Sequence, residues 1–267
     1  MPKKRKTNKL HRASFLSSKF YQSFLSGEVN LLDENSIKKF KRGFNEVENP
    51  NFVSSFSGWV LIADKGNVYK NQLNRGKKLE KILSKKLKYD SISSEEDYRR
   101  STYDFLDNDW VLEYEDISSK DSLPYKISSL EYNGKPFYGR PDVVYKNTKT
   151  NDRIIVEIKN TGTYNNSIPN GGWFNLQCQL WSYSWIDNFI DSPNIFLYGD
   201  IRKMVRLPNW NGTQIKISEP SGQNPGWRVR KNGELNLEND NINILHNQCL
   251  ELFEYYGGKF NAPQVIV

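Results

Sequence analysis

Two acids and a lysine stand in an order suited to metal-dependent cleavage of a phosphodiester. Asp142 closes the run Gly139–Arg140–Pro141–Asp142, and fourteen residues separate it from Glu157. Glu157 and Lys159 lie two apart in the apolar run Ile154–Ile155–Val156–Glu157–Ile158–Lys159. Side chains alternate across a strand, so Glu157 and Lys159 share one face while Ile154, Val156 and Ile158 take the other. Burying an acid and a lysine on one face is costly unless they act together. Hydrolysis of a phosphodiester needs the phosphate charge offset, a water activated and the leaving oxygen stabilised. Mg²⁺ or Mn²⁺ held by carboxylates supplies all three. Asp142 and Glu157 are candidate ligands, and the backbone carbonyl of Ile158 is a third oxygen donor. Lys159 would polarise the attacking water or offset developing charge. The same spacing also suits a solvated Glu–Lys pair on an ordinary strand. The apolar neighbours and the preceding Gly–Arg–Pro–Asp turn favour the chemical reading. Gly139 and Pro141 break the strand where a ligand must turn inward.

Further signals flank this set. Glu80 opens a lysine-rich stretch, one and two helical turns from Leu83 and Leu87, so on a helix it faces the interior edge. Pairing with nearby lysines at helical spacing would also explain it. Downstream, Gln179 and Tyr183 place an amide and a phenol four apart on one helical face, which also fits ordinary packing.

The elements that must carry these residues follow from periodicity. Leu79, Ile82, Leu83 and Leu87 form the stripe of a helix over 74–88, with a further helix over 94–107. A short aromatic strand is expected over 56–62. Strands are expected over 110–115, 128–132, 137–145 and 153–159, with Asn133–Gly134 as a hairpin turn. A polar loop over 161–172 precedes a helix over 174–190, its apolar side being Leu176, Leu180, Tyr183, Ile186 and Ile190. Strands over 194–198, 204–207 and 214–218, a loop or hairpin over 219–236 and a helix over 240–256 complete the chain. This order implies an α/β fold, a sheet with helices on both faces.

The set resembles the RecB-like branch of the PD-(D/E)XK nucleases. The matching residues are Gly76 and Glu80, then Gly139 to Asp142, then Glu157–Ile158–Lys159, then Gln179 and Tyr183, spanning about residues 75–190. The resemblance implies a restriction-endonuclease-like core, a mixed central β-sheet flanked by helices. It implies DNA cleavage, commonly exonucleolytic, with one or two divalent metals and a 5′-phosphate product. Glu80, Asp142 and Glu157 would be metal ligands and Lys159 the catalytic lysine. Gln179 and Tyr183 would steady the site and the nucleic-acid strand. The chain departs from the pattern in two ways. Leu79 precedes Glu80 with no histidine nearby, and two cysteines far apart in sequence cannot build an iron–sulfur cluster.

Composition narrows the alternatives. With 267 residues, 37% hydrophobic and 13% aromatic, the chain can bury a real core. Two cysteines, Cys178 and Cys249, exclude a disulfide framework and fit a reduced intracellular setting. The two histidines, His11 and His246, leave no basis for a histidine-rich zinc site or a serine–histidine–acid triad; His246 is expected to pack on the last helix. No apolar run reaches membrane-span length, so no membrane partner is expected. The net charge is +7, and residues 1–12 hold six basic residues and no acid. Residues 1–28 therefore read as a basic arm, and residues 29–267 as the nuclease domain with its elaborations. The arm suits nucleic-acid phosphates, a nuclear or organellar import signal, or plain solubilisation. Nearer the site, Lys77, Lys78 and Lys81 are candidate contacts for DNA or a solvated helix face; Trp173 and Phe174, bordering the 161–172 loop, could stack on bases but fit core packing better; and Trp227, Arg228 and Arg230 form a third candidate surface. Two other readings stay open: a site- or structure-specific endonuclease acting on DNA or RNA, and a non-catalytic nucleic-acid-binding module.

Overall fold

The structure is a computed structural model that describes residues 50–65, 103, 106–116, 123–161, 172–206, 215–217 and 226–263. The basic arm, the 74–88 helix with Glu80 and its lysines, and most of the 94–107 helix and the 161–172 loop lie outside the described residues. In chain order the elements are α1 (Val53–Lys65), β1 (Trp110–Glu115), β2 (Tyr125–Tyr132), β3 (Lys135–Gly139), β4 (Val143–Asn147), β5 (Arg153–Thr161), α2 (Phe174–Tyr183), a 3₁₀ turn (Asp187–Phe189), β6 (Ile195–Arg206), β7 (Ile215–Ile217), β8 (Trp227–Lys231), β9 (Glu234–Leu235), α3 (Asp240–Tyr255) and β10 (Gly258–Phe260).

The protein is a mixed α/β fold. Its main sheet has seven strands in the order β1-β4-β5-β6-β8-β9, with β7 paired to β6; a second sheet runs β10-β2-β3. β4 pairs antiparallel with β1 and with β5, whereas β5 and β6 run parallel from Arg153–Ile195 to Thr161–Lys203. A parallel pair needs a crossover, and α2 lies within it. β5 is thus an interior strand, and Glu157, Ile158 and Lys159 pair with β6 just past the end of its pairing with β4.

The alternation read from the sequence holds in β5. Ile154, Val156 and Ile158 pack with Tyr103, Val143 and Tyr145 on one face, while Ile155 joins the larger core built with α1, α2 and α3 on the other. Glu157 therefore points toward the helices. Asn133–Gly134 and Asn232–Gly233 turn their hairpins with positive φ at all four residues (51°, 70°, 55° and 84°), the backbone that a two-residue turn between twisted strands requires.

Several expectations are corrected. Residues 56–62 are helical, not a strand. Val53, Phe56 and Val60 are at most 1% exposed and recur at helical spacing, so burial against α2 outweighs the strand preference of their aromatic and β-branched side chains. The 137–145 stretch is two strands in two sheets, split at Arg140–Pro141–Asp142. Tyr103, Leu106 and Asp107 carry no regular structure, so the helix over 94–107 does not reach its expected end. α2 stops at Tyr183 rather than 190. There Ser182 Oγ and Ser184 Oγ donate to the Cys178 and Trp181 carbonyls, and Ile190, expected on the apolar side, is 39% exposed. The 194–198 and 204–207 strands are one long strand, β6, and β10 has no counterpart in the sequence reading.

Arg230 also departs from its expected place. Arg230 is buried, not part of a surface cluster. Its Nε donates to Ser184 O at 3.3 Å and its Nη1 to Gly233 O at 3.0 Å, and its guanidinium lies over the Trp185 ring. It caps the carbonyl end of α2, where a cation is favoured, although burial lowers its pKa to about 10. Cys178 and Cys249, 71 residues apart in sequence, are free, buried thiols in the α2–α3 core. Burial raises the Cys249 pKa, and the neighbouring Cys178 raises it further. His246 is buried on α3 as expected and accepts a hydrogen bond at Nδ1 from Trp181 Nε1 (3.1 Å).

Candidate active site

The site forms where β4 begins, β5 crosses the sheet and α2 lies over it. β3 ends at Gly139, and Asp142 immediately precedes β4. From there Asp142 Oδ2 accepts a 2.6 Å hydrogen bond from the Ile158 backbone N–H. The Asp142 carbonyl accepts from Asp116 N–H at 2.9 Å, which ties the end of β1 to the same point. Asp142 is thus held from two strands.

Glu157 is 2% exposed. Its Oε1 accepts from Lys159 Nζ, in a close ion pair, and from Gln179 Nε2 at 2.6 Å. The lysine side chain is 26% exposed, so the pair runs from the interior to the surface. α2 reaches Glu157 because the β6 residue paired with it is Gly199. A Cβ there would lie 2.9 Å from Leu176 Cδ2, so the absent side chain lets the helix settle onto the sheet. Gln179, one turn beyond Leu176, then meets the carboxylate.

Gln179 also ties the acid to the Gly–Arg–Pro–Asp turn. Its Nε2 donates to Tyr183 Oη at 3.1 Å, and Tyr183 Oη donates to the Arg140 carbonyl at 2.9 Å. The ring lies against Gly139, where a Cβ would stand 2.6 Å from Tyr183 Cε1 and 3.1 Å from Val53 Cγ2. Glycine is therefore the residue that fits under this ring. Burial first, then the negative charge of Glu157, raises the Tyr183 pKa well above its ordinary value; Asp142 and Asp116 add to the rise, and the hydrogen bond from Gln179 opposes it. Tyr183 stays a neutral phenol and a hydrogen-bond donor.

Asp142, Glu157, Ile158, Lys159, Gln179 and Tyr183 are therefore brought together, in part by direct hydrogen bonds. Glu80, Lys77, Lys78 and Lys81 lie outside the described residues. Trp173 is partly buried against the core and Phe174 is 1% exposed, which is packing rather than a stacking platform. Sequence reasoning missed Asp116 and Ser57. Ser57 falls in the stretch expected as a strand, but it lies on α1 within hydrogen-bond distance of Gln179; the helical spacing of Val53, Phe56 and Val60 is the available signal.

The donor set fits a hard divalent cation. Carboxylate and carbonyl oxygens suit Mg²⁺ and Mn²⁺, and a carboxylate has enough lone pairs for both an amide N–H and a cation. Among the described residues, no three His, Cys, Asp or Glu side chains gather closely enough to hold a metal ion by themselves.

No family model matches the chain, and no curated protein matches it. The crystal structure of SSO0001 is 14% identical and aligns over 85% of each chain with a TM-score of 0.33. So loose a likeness carries no argument, and the functional reading rests on the site's own residues. No helix among the described residues is long and apolar enough to cross a membrane.

Proposed function

We propose that this protein is a Mg²⁺- or Mn²⁺-dependent deoxyribonuclease with a restriction-endonuclease-like core, of the RecB-like exonuclease kind. The observation that carries the reading is the buried Glu157 carboxylate, held by Lys159 and Gln179 on an interior strand beside the anchored Asp142. A buried acid costs stability, and a function for it accounts for that cost. The arrangement of β1, β4 and β5 antiparallel, with β6 parallel to β5 across α2, agrees with the mixed sheet of that fold.

Asp142, Glu157 and the Ile158 carbonyl would hold the cation, with Glu80 as a further ligand. The bound cation supplies charge offset for the phosphate and a lowered pKa for the attacking water. Lys159 reaches from Glu157 toward solvent, where it orients the water and balances negative charge as the phosphorus–oxygen bond breaks. Gln179 fixes the Glu157 carboxylate, and Tyr183 fixes the turn that carries Asp142. Gly139 keeps the space that Tyr183 needs.

The test is a time course on end-labelled linear duplex, single strand and closed circle, and on RNA, with Mg²⁺, Mn²⁺ or EDTA. Divalent-dependent loss of linear DNA, abolished in Glu157→Ala and Lys159→Ala with both variants folded, supports the proposal. Cutting of the closed circle assigns an endonuclease instead. Binding without cutting under every metal condition assigns a non-catalytic module, and unchanged cleavage in both variants refutes the site.

A further inference from the structure

The Gln179 amide has two acceptors at its nitrogen and one donor at its oxygen. Nε2 meets the Glu157 carboxylate at 2.6 Å and Tyr183 Oη at 3.1 Å. The Tyr183 hydrogen is committed to the Arg140 carbonyl, so Tyr183 Oη can only accept from Gln179. The amide must therefore present nitrogen to both, which leaves Oε1 facing α1. Gln179 is 7% exposed, so that oxygen has little access to water. The group that meets it is the Ser57 hydroxyl at 3.3 Å, itself 2.9 Å from the Asn175 carbonyl. One hydroxyl hydrogen serves both acceptors as a three-centre bond. Ser57 is 5% exposed and flanked on α1 by the buried Phe56, so it cannot turn out to water.

We propose that Ser57 is a positioning residue for the site: it holds the Gln179 amide oxygen so that the amide nitrogen stays on Glu157 Oε1, and α1 thereby helps set the carboxylate's orientation. Ser57 touches neither the proposed cation nor the substrate and acts through Gln179. Without the hydroxyl, the buried amide oxygen loses its donor, and the amide can rotate to seek another. Glu157 then loses a charge-assisted bond that fixes its plane, while Lys159 remains. The kinetic part of the inference rests on the nuclease reading; the structural part does not.

Two measurements separate them. The first is the ¹H–¹⁵N side-chain signal of Gln179, assigned by its disappearance in Gln179→Leu. In the wild-type protein one amide proton resonates downfield, because it bonds a carboxylate. Ser57→Ala and the similarly sized Ser57→Cys should move that proton upfield, and Ser57→Thr, which keeps the hydroxyl, should restore it. The second is divalent-dependent cleavage. Ser57→Ala should lower kcat roughly tenfold, the rate equivalent of about 1.4 kcal/mol and within the range of one buried hydrogen bond. KM should change by less than about twofold, because a displaced carboxylate affects the chemical step more than substrate binding. Ser57→Thr should recover most of the rate. An amide signal unmoved in both Ser57→Ala and Ser57→Cys overturns the inference, whether or not the protein cleaves DNA. A kcat unchanged beside a moved signal overturns its kinetic part. If the wild-type protein cleaves nothing, the nuclease reading fails while the amide signal still decides the role of Ser57.

Discussion

Replacing Gln179 tests the geometry of the site without assuming its chemistry. Gln179→Leu keeps the approximate volume and removes three hydrogen bonds. The one to the ionised Glu157 contributes about 1.5–3 kcal/mol and the two neutral ones about 0.5–1.5 kcal/mol each. Ser57 keeps the Asn175 carbonyl and Tyr183 keeps the Arg140 carbonyl, so the neutral losses fall at the low end, and the leucine recovers some apolar burial. The net destabilisation is about 2–4 kcal/mol, which lowers Tm by roughly 4–16 °C for a domain of this size. Gln179→Glu separates a hydrogen-bond effect from a packing effect. It sets a second carboxylate where the amide nitrogen now lies 2.6 Å from Glu157 Oε1. Two carboxylates this close share a proton, so one folded-state pKa is raised. A raised carboxylate pKa gives stability that is present at low pH and lost as pH rises through the folded value. Gln179→Glu should therefore lie nearer the wild-type stability at pH 5 than at pH 8. The assay is thermal and urea unfolding of the three proteins at both pH values, without divalent cations. Wild-type stability in Gln179→Leu, or a Gln179→Glu deficit that does not grow with pH, would refute the network.

Other expectations follow from the same contacts. Gly139→Ala puts a methyl into the space held by Tyr183 and Val53; overpacking of this kind costs about 1–3 kcal/mol, visible as a lower urea midpoint, and cleavage should fall because the Asp142 turn shifts. Burial lowers the His246 pKa. The unfolded chain therefore takes up a proton at higher pH than the folded one, and stability falls as pH drops below about 6.5, by at most about 1.4 kcal/mol per pH unit. His246→Gln should flatten that slope in a pH series of urea melts. Mn²⁺ should raise the wild-type Tm, by the equivalent of about 2.7 kcal/mol at a hundredfold excess over Kd, and Asp142→Asn and Glu157→Gln should each abolish most of that rise in a thermal-shift titration.

What the sequence made legible was local. Glu157 and Lys159 share a face because strand alternation is fixed by backbone geometry, and the apolar run 154–158 marks the strand. Asn133–Gly134 declared its turn because few other residues accept two successive positive φ angles. Gln179 and Tyr183 fell on one helical face for the same kind of reason. The failures involve packing between segments distant in sequence. Residues 56–62 hold aromatic and β-branched side chains that suit a strand, yet contact with α2 makes them helical, and with that helix comes Ser57. The stretch 137–145 looked continuous because its apolar residues continue on both sides of Pro141, but its halves serve different sheets. Nothing local at Gly199 announces that its missing side chain admits α2, nor at Arg230 that it closes that helix from 46 residues away.

The central claim is that Asp142 and Glu157 hold one divalent cation, and anomalous diffraction from crystals of the full chain grown with Mn²⁺ tests it most directly. A strong Mn²⁺ peak is expected about 2.1 Å from oxygens of both carboxylates, with the Lys159 ammonium nearby. Full Mn²⁺ occupancy elsewhere, with no peak between Asp142 and Glu157, would contradict it.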